Sequence, residues 1–171
     1  MQFNVNVDAE SAAKLASGVR LLLMDVDGVL TDGKLLFIPD SNGNIVETKG
    51  FDSQDGMALR WLRWFEIKTG VISGRNSPAT TARARQVEMT YVYQGHIEKI
   101  PILEEILADA KIDSQQVAYV GDDLTDTVLM RRVGLSFATA NARPEVKQVA
   151  MATTDAVGGS GAIREVVECL L

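Results

Sequence analysis

Short apolar runs alternate with longer amphipathic segments along most of the 171-residue chain. Each run is apolar at successive positions rather than at every second one, which is typical of strands buried on both faces of a parallel sheet. We expect five such strands, at residues 19–24, 70–73, 91–93, 117–120 and 135–138. The alternation predicts an α/β fold with a doubly wound, mostly parallel sheet.

The segments between these runs carry apolar residues at helical spacing. Between residues 58 and 65, the apolar side chains, Phe65 included, recur on one face of a helix. Further helices are expected at 102–110, 124–133 and 163–171, and an alanine-rich helix is expected ahead of the first strand.

A β-hairpin insert is predicted at residues 34–48, directly after the loop that follows the first strand. Two strand-like segments flank a stretch rich in turn residues that contains Asn42-Gly43. Residues 35–38 are apolar at four successive positions, so both faces of the hairpin need cover. We favour self-association through the hairpin, with packing inside one chain as the open alternative. The length otherwise predicts one domain over residues 1–171.

Composition narrows the function classes. The chain has 17 basic and 23 acidic residues, a net charge of −6, which argues against a general nucleic-acid or anionic-membrane binder. The single cysteine, Cys169, excludes an internal disulfide or a cysteine-based zinc site and fits a reducing compartment. Residues 1–10 lack the basic and apolar regions of a signal peptide, and no apolar run is long enough to span a bilayer. We therefore expect a cytoplasmic protein.

A polar cluster follows four of the five predicted strands. In open α/β sheets, ligands bind beyond the carboxyl ends of the strands, so these clusters are predicted to meet at one edge. They are Asp25-Val26-Asp27-Gly28, Ser73-Gly74-Arg75, His96-Ile97-Glu98-Lys99 and Gly121-Asp122-Asp123-Leu124-Thr125-Asp126.

The charges at that edge predict a metal. Five aspartates face only two cations, Arg75 and Lys99, which leaves three negative charges in excess. Neighbouring carboxylates raise one another's pKa, and a hard divalent cation relieves their repulsion. Oxygen-only ligands favour Mg²⁺ over zinc. With the metal bound, the site would suit a dianion such as a phosphate monoester. We interpret His96 as an ordinary loop residue.

As a set, these segments resemble the four motifs of the haloacid dehalogenase-like phosphatases. Further stretches are similar to the capless subgroup of that superfamily that includes the 3-deoxy-D-manno-octulosonate 8-phosphate phosphatases. These stretches are the hairpin with Asn42-Gly43, Asp55-Gly56, Tyr93-Gln94-Gly95, VAYVGDDLTD at 117–126 and the glycine-rich segment 158–166. The similarity covers about residues 19–168.

The resemblance implies a Mg²⁺-dependent phosphomonoesterase acting on a keto-sugar-acid phosphate. Asp25 would attack phosphorus to give an aspartyl-phosphate, and Asp27 would protonate the leaving group and later take a proton from water. Ser73 would donate a hydrogen bond to the phosphoryl group, and Lys99 would balance its charge. The resemblance also implies a homo-oligomer, as a tetramer.

The resemblance further implies a metal held by Asp25, the backbone carbonyl of Asp27, and Asp122. Asp126 would orient this shell, and Asp123 would either orient it or bind directly. Candidates for substrate contact are Thr31, Gly74 and Arg75, the last for the acid group or the phosphate.

Two other functions remain open from the sequence. The first is a phosphatase for a nine-carbon, sialic-acid-type 9-phosphate. The second is a receiver-type signalling domain, which also places a phospho-accepting aspartate, acidic metal ligands and a lysine on an α/β fold. That class expects an adjacent acidic pair after the first strand, whereas here the pair comes late, at Asp122-Asp123.

Overall fold

A seven-stranded sheet forms the centre of the computed structural model, which describes residues 1–3 and 9–171. The strand order is β1-β9-β8-β7-β2-β5-β6, with all neighbours parallel except β1 and β9. Its strands are β1 (Gln2–Phe3), β2 (Leu21–Met24), β5 (Lys68–Ser73), β6 (Tyr91–Gln94), β7 (Val117–Gly121), β8 (Leu135–Ala138) and β9 (Ala152–Thr153). The predicted fold class and the five predicted strands are confirmed.

Helices cover both faces of the sheet, because successive side chains of a strand point to opposite sides. Leu22 and Met24 of β2 pack in a core with α1, α2 and α7. Leu21 and Leu23 pack on the other face with α4, α5 and α6. The helices are α1 (Ala9–Gly18), α2 (Ser53–Trp61), α3 (Pro78–Gln86), α4 (Lys99–Ala110), α5 (Thr127–Met130), α6 (Pro144–Val149) and α7 (Ala162–Leu170). Across the described residues, no helix is long and apolar enough to cross a membrane.

Two predicted helices differ from the observed ones. The chain tightens into a 3₁₀ helix at Leu62–Phe65, which turns Phe65 off the packed face and leaves it 55% exposed. The predicted helix at 124–133 begins instead as a 3₁₀ turn, Leu124–Asp126, and continues as α5 for four residues. Side-chain bonds of Asp123 and Asp126 close that turn, so the local polar groups set its shape.

Two α-helices and two strands of the described chain lie outside the sequence-based prediction. Helices α3 and α6 are short and weakly apolar, although each has proline at its start, a usable signal. Strands β1 and β9 have two residues each and form the antiparallel edge of the sheet. A two-residue strand is too short to show any periodicity.

The predicted hairpin is confirmed as β3 (Leu36–Pro39) and β4 (Ile45–Thr48), with Leu36 opposite Thr48. Asp40 closes its turn by accepting hydrogen bonds from the N–H groups of residues 42 and 44. Six apolar side chains of the hairpin are between 41% and 68% exposed: Leu35, Leu36, Phe37, Ile38, Ile45 and Val46.

The strand order places a topological switch point between β2 and β7. The chain winds from β2 through β5 to β6, then returns to β7 beside β2 and winds outward to β9. Helices on either side of such a point leave a crevice at the carboxyl ends of the strands. The loops after β2, β5 and β7 therefore meet there, and within the described residues no cap domain covers them.

Candidate active site

A cleft of about 320 Å³ lies where these loops meet. Most of the predicted site residues line it: Asp25, Asp27, Ser73, Gly74, Arg75, Lys99, Asp122 and Asp123. The structure thus brings together residues that are up to 98 positions apart in the chain. The short, buried parallel strands place the ends of β2, β5 and β7 side by side.

Three carboxylates and one ammonium group form what we call the acidic cluster: Asp25, Asp122, Asp126 and Lys99. One oxygen from each aspartate lies within 4.8 Å of the others. Lys99 Nζ is 3.1 Å from Asp25 Oδ1 and 2.7 Å from Asp126 Oδ1. Because three negative charges meet one positive charge, the cluster keeps a net charge of −2, the charge that one divalent cation neutralises.

Asp126 is the buried residue that connects the members of this cluster through hydrogen bonds. Its Oδ1 accepts hydrogen bonds from Lys99 and from the Tyr119 hydroxyl, each at 2.7 Å. Its Oδ2 accepts from the backbone N–H groups of Asp122 and Asp123, at 3.0 and 3.2 Å. With both oxygens engaged, and with no exposed surface, Asp126 fixes the β7 loop and orients Lys99.

Burial and like charges raise the pKa of the two carboxyl groups that face the cleft. Burial raises the pKa of Asp25 to about 6, with Asp126 adding to the effect and Lys99 opposing it. Burial raises the pKa of Asp122 to about 7, and the charges of Asp126 and Asp25 contribute. Burial alone would lower the pKa of Lys99, but the same carboxylates outweigh it and raise that pKa.

The cluster fits a hard divalent cation. Asp122 Oδ1 is buried and has no hydrogen-bond partner among residues 1–3 and 9–171, an arrangement that is costly without a cation. The donors at the cleft are oxygens, as Mg²⁺ prefers. Asp123 is exposed and its Oδ1 accepts from the N–H of Leu124 at 2.7 Å, so it caps the 3₁₀ turn.

Beside the acidic cluster lies what we call the neutral quartet: Asp27, Glu47, Lys49 and Arg75. Lys49 forms ion pairs with Asp27 Oδ1 and, at 3.3 Å, with Glu47 Oε1. Arg75 pairs with Glu47 Oε2, and its Nε is 4.0 Å from Asp27 Oδ2. Two cations and two carboxylates balance, so this group needs no metal.

Sequence reasoning did not find Glu47 and Lys49. Glu47 lies in β4, in the segment that the pattern identified only as a hairpin, and Lys49 is the first residue after that strand. A signal was present, because residues two apart in an extended segment point to the same side. Glu47 and Lys49 accordingly lie side by side, with Lys49 Nζ 3.3 Å from Glu47 Oε1.

The loop after β2 is fixed by close backbone packing. Thr139 and Asn141 both donate side-chain hydrogen bonds to the carbonyl oxygen of Gly28, at 3.2 and 2.9 Å. Gly158 packs so closely that a Cβ there would lie 2.0 Å from the same oxygen. Gly28 itself adopts a φ of +87° and would clash with Asp122 if it carried a side chain. The loop after β2 is thereby held by the segments that follow β8 and β9 and by Asp122 after β7.

The remaining predicted residues differ in their exposure to the cleft. Ser73 is 2% exposed, and its hydroxyl accepts a hydrogen bond from the N–H of Arg75 at 3.3 Å. Thr31 is buried, and its hydroxyl donates to the carbonyl of Val26, so its predicted contact with substrate stays a prediction. His96 packs edge-on against the ring of Tyr93, with centroids 6.0 Å apart, and its interpretation as an ordinary loop residue stays a prediction.

Comparisons with known proteins identify the family of this chain. The family model of the haloacid dehalogenase-like hydrolases matches residues 72–165. The 3-deoxy-D-manno-octulosonate 8-phosphate phosphatase of Escherichia coli is 40% identical over 165 residues, which span 96% of this chain and 85% of that protein. The corresponding phosphatase of Yersinia pestis is 39% identical over 163 residues, 95% of this chain and 85% of that protein.

A solved structure of the same kind of phosphatase, from Moraxella catarrhalis, superposes with a TM-score of 0.89 at 34% identity. The match covers 96% of this chain and 92% of that one, which was crystallised with a magnesium ion, a phosphate ion and a Kdo molecule. The chain therefore belongs to the haloacid dehalogenase-like hydrolases, in the branch formed by the 3-deoxy-D-manno-octulosonate 8-phosphate phosphatases.

Proposed function

We propose that this protein is a Mg²⁺-dependent phosphatase that hydrolyses 3-deoxy-D-manno-octulosonate 8-phosphate to the free sugar acid and phosphate. The observation that carries the proposal is the placement of Asp25 in the cleft, beside Lys99 and within a cluster of net charge −2. The near-complete overlap with the E. coli phosphatase supports the substrate.

Asp25 is the nucleophile in this proposal. A carboxylate oxygen of Asp25 forms a bond to phosphorus as the bond to the sugar oxygen breaks, which gives an aspartyl-phosphate. Water then cleaves this intermediate and releases phosphate. Lys99 is already within 3.1 Å of Asp25, so its positive charge is in place for the phosphoryl oxygens. The Ser73 hydroxyl and the backbone at Gly74 line the same cleft and are suited to hold those oxygens.

Asp27 is the general acid and base. It would give a proton to the departing sugar oxygen and later take one from the water that attacks the aspartyl-phosphate. The two-residue spacing from Asp25 places both side chains at the cleft. A sugar alkoxide is a poor leaving group, so this proton transfer is worth about 10²- to 10⁴-fold in rate.

The metal would be held by the carboxylates of Asp25 and Asp122 and by the backbone carbonyl of Asp27. Asp126 keeps Asp122 in place by accepting a hydrogen bond from its backbone N–H, and Asp123 caps the 3₁₀ turn after β7. When bound, Mg²⁺ supplies positive charge that offsets the dianionic phosphate.

Arg75 is the candidate for the carboxylate of the sugar acid. Its side chain is 45% exposed at the edge of the cleft, where a ligand can reach it. Glu47 holds the guanidinium in place and raises the pKa of Arg75 further. A charge-assisted contact of this kind is worth roughly 1.5–3 kcal/mol, which corresponds to about tenfold to more than a hundredfold in specificity.

The experiment is a comparison of kcat/KM, with Mg²⁺, for four phosphate esters. These are the eight-carbon keto-acid phosphate, a nine-carbon sialic-acid-type 9-phosphate, arabinose 5-phosphate and glucose 6-phosphate. We expect the first to be preferred at least tenfold over arabinose 5-phosphate and glucose 6-phosphate, because only the two keto acids offer a carboxylate to Arg75. Equal values for all four would overturn the sugar-acid assignment, and preference for the second would establish the nine-carbon alternative.

The protein is also proposed to assemble as a homo-oligomer, a tetramer, through residues 34–48. The six exposed apolar side chains of the hairpin support this, since a two-stranded hairpin alone cannot cover them. Light scattering at micromolar concentration is expected to give the mass of four chains, and a monomer would contradict the proposal. The single thiol, Cys169, fits a cytoplasmic location for such an enzyme.

A further inference from the structure

Lys49 is a buried cation that the reaction described above does not use. Its side chain is only 1% exposed, although lysine is among the residue types that proteins bury least. It lies between two carboxylates, Asp27 on the loop after β2 and Glu47 on β4, and pairs with both. Burying an ammonium group costs several kcal/mol unless it is paired, so these contacts define where the side chain can be.

The two oxygens of Asp27 have different partners. Lys49 pairs with Oδ1, and Arg75 Nε lies 4.0 Å from Oδ2. The carboxyl group can rotate about its terminal bond, because such torsions are broad and roughly two-fold. An ion pair on Oδ1 restricts that rotation, and Asp27 is one of the residues that line the cleft.

We propose that Lys49 is a positioning residue that fixes the carboxyl group of Asp27 so that Oδ2 meets the oxygen of the leaving group. This inference rests on the proposed role of Asp27 as general acid. Glu47 supports Lys49 from the other side, and Arg75 ties Glu47 back to the cleft. The hairpin therefore contributes to the chemistry as well as to the surface of the molecule.

Leaving-group dependence separates positioning from a structural role. A sugar alkoxide must be protonated as it leaves, whereas p-nitrophenolate is stable without a proton. For both esters, kcat/KM reports the steps up to transfer of the phosphoryl group to Asp25, so hydrolysis of the aspartyl-phosphate does not enter. The ratio of the two values is independent of the fraction of folded enzyme, because that fraction affects both equally.

With saturating Mg²⁺, Lys49→Met is expected to lower kcat/KM for the keto-sugar-acid phosphate about 100-fold and that for p-nitrophenyl phosphate less than about fivefold. Lys49→Arg, which keeps the charge with a different reach, is expected to give an intermediate ratio. Lys14→Met is the matched control, since Lys14 is an exposed lysine on α1, and its ratio should equal that of the wild type.

Asp27→Asn distinguishes the two proposals. If it shows the selective loss but both Lys49 variants keep the wild-type ratio, the positioning role is overturned while the general acid stands. If Asp27→Asn lowers both esters equally, or if the wild type hydrolyses neither, the proposed function itself fails. Selective loss in both Asp27→Asn and Lys49→Met supports the inference, and a Lys49→Met variant that does not fold leaves Lys49→Arg to decide by the same ratio.

Discussion

The acidic cluster and the neutral quartet lie side by side, contain four ionisable groups each, and differ in charge. In the acidic cluster, Lys99 is the one cation for three carboxylates, and Asp122 Oδ1 is buried without a hydrogen-bond partner in the described chain. In the neutral quartet, Lys49 and Arg75 match Asp27 and Glu47 one for one. Two aspartates only two positions apart, Asp25 and Asp27, thus belong to opposite electrostatic environments.

In the proposed mechanism, this difference suits the two carboxylates to different tasks. Excess negative charge in a buried site requires a cation, and a divalent metal beside Asp25 keeps it ionised for attack. A balanced group has no such requirement and can hold a side chain in one orientation. The proposed mechanism thus separates phosphoryl transfer at Asp25 from proton transfer at Asp27 by the number of counter-ions around each.

The largest expected effect comes from breaking the acidic cluster at its nucleophile. Asp25→Asn keeps the volume of the side chain but cannot form an aspartyl-phosphate, so turnover should fall by roughly 10⁴-fold or more. Steady-state phosphate release measures this. Asp32→Asn is the matched control, because Asp32 lies in the same loop with a 48% exposed side chain that pairs with Lys34. Near-normal turnover in Asp25→Asn would rule out the covalent route.

A smaller effect, on the free energy of unfolding, is expected at Asp55. This buried carboxyl group forms no ion pair with the described residues and lies outside the proposed metal site. Asp55 is 1% exposed on α2, and Oδ1 accepts from the N–H of Arg164 at 2.8 Å, while Oδ2 is buried without a partner in the described residues. Burial raises its pKa from 3.8 to about 6. The folded chain therefore holds a proton that the unfolded chain loses as the pH rises above about 4.

Because the folded state binds the extra proton, this group lowers the free energy of unfolding as pH rises from about 4 to about 6. Two pKa units correspond to about 3 kcal/mol, and Asp55→Asn cannot titrate. As the pH is raised from 4 to 7, the free energy of unfolding of Asp55→Asn should therefore increase by about 3 kcal/mol relative to that of the wild type. Urea denaturation at each pH measures this difference. Lys34 lowers the pKa of Asp32, so the ionised carboxylate favours the folded state. The free energy of unfolding of Asp32→Asn should therefore fall relative to that of the wild type as the pH is raised. A flat difference for Asp55→Asn would mean an ordinary pKa.

The smallest expected effect is the pH dependence of the thermal stabilisation that Mg²⁺ gives at the acidic cluster. Protonation competes with Mg²⁺ at Asp25 and Asp122, whose pKa values burial raises to about 6 and about 7. The increase in Tm that Mg²⁺ gives should therefore be small at pH 5.5 and larger at pH 8. At 100 times its Kd the ion adds about 2.7 kcal/mol. Sodium chloride of equal ionic strength is the control, and an increase independent of pH would place the metal elsewhere.

The acidic cluster could be predicted from sequence, and the neutral quartet only in part, for a physical reason. Residues of the cluster follow buried parallel strands, whose ends are aligned by the sheet, so their meeting follows from the fold class. Lys49 follows β4 of the hairpin, which is not part of the seven-stranded sheet. The contact between Lys49 and Asp27 depends on how the hairpin packs against the loop after β2. The spacing of apolar residues does not specify that packing.

The same distinction holds for the helices. The helix predicted at 102–110 is confirmed in α4, because apolar residues at helical spacing report directly on a packed face. The 3₁₀ turn at Leu124–Asp126 differs because side-chain bonds to the backbone, rather than apolar spacing, determine it. Sequence patterns thus predicted what hydrophobic burial controls and missed what individual polar contacts control.

The glycines at positions 28 and 158 have a consequence for any saturation mutagenesis of this enzyme. Neither carries a functional group, yet a Cβ at either would lie 2.0 Å from its nearest atom, Asp122 Oδ2 or the carbonyl oxygen of Gly28. Every amino acid other than glycine has that carbon, so the whole row of substitutions at each position should lose activity together. In a mutational scan scored by growth or turnover, substitutions at Gly28 and Gly158 would lower activity as severely as substitutions at Asp25. The cause would be steric, and the sign of it would be that no side chain of any size is tolerated at either position.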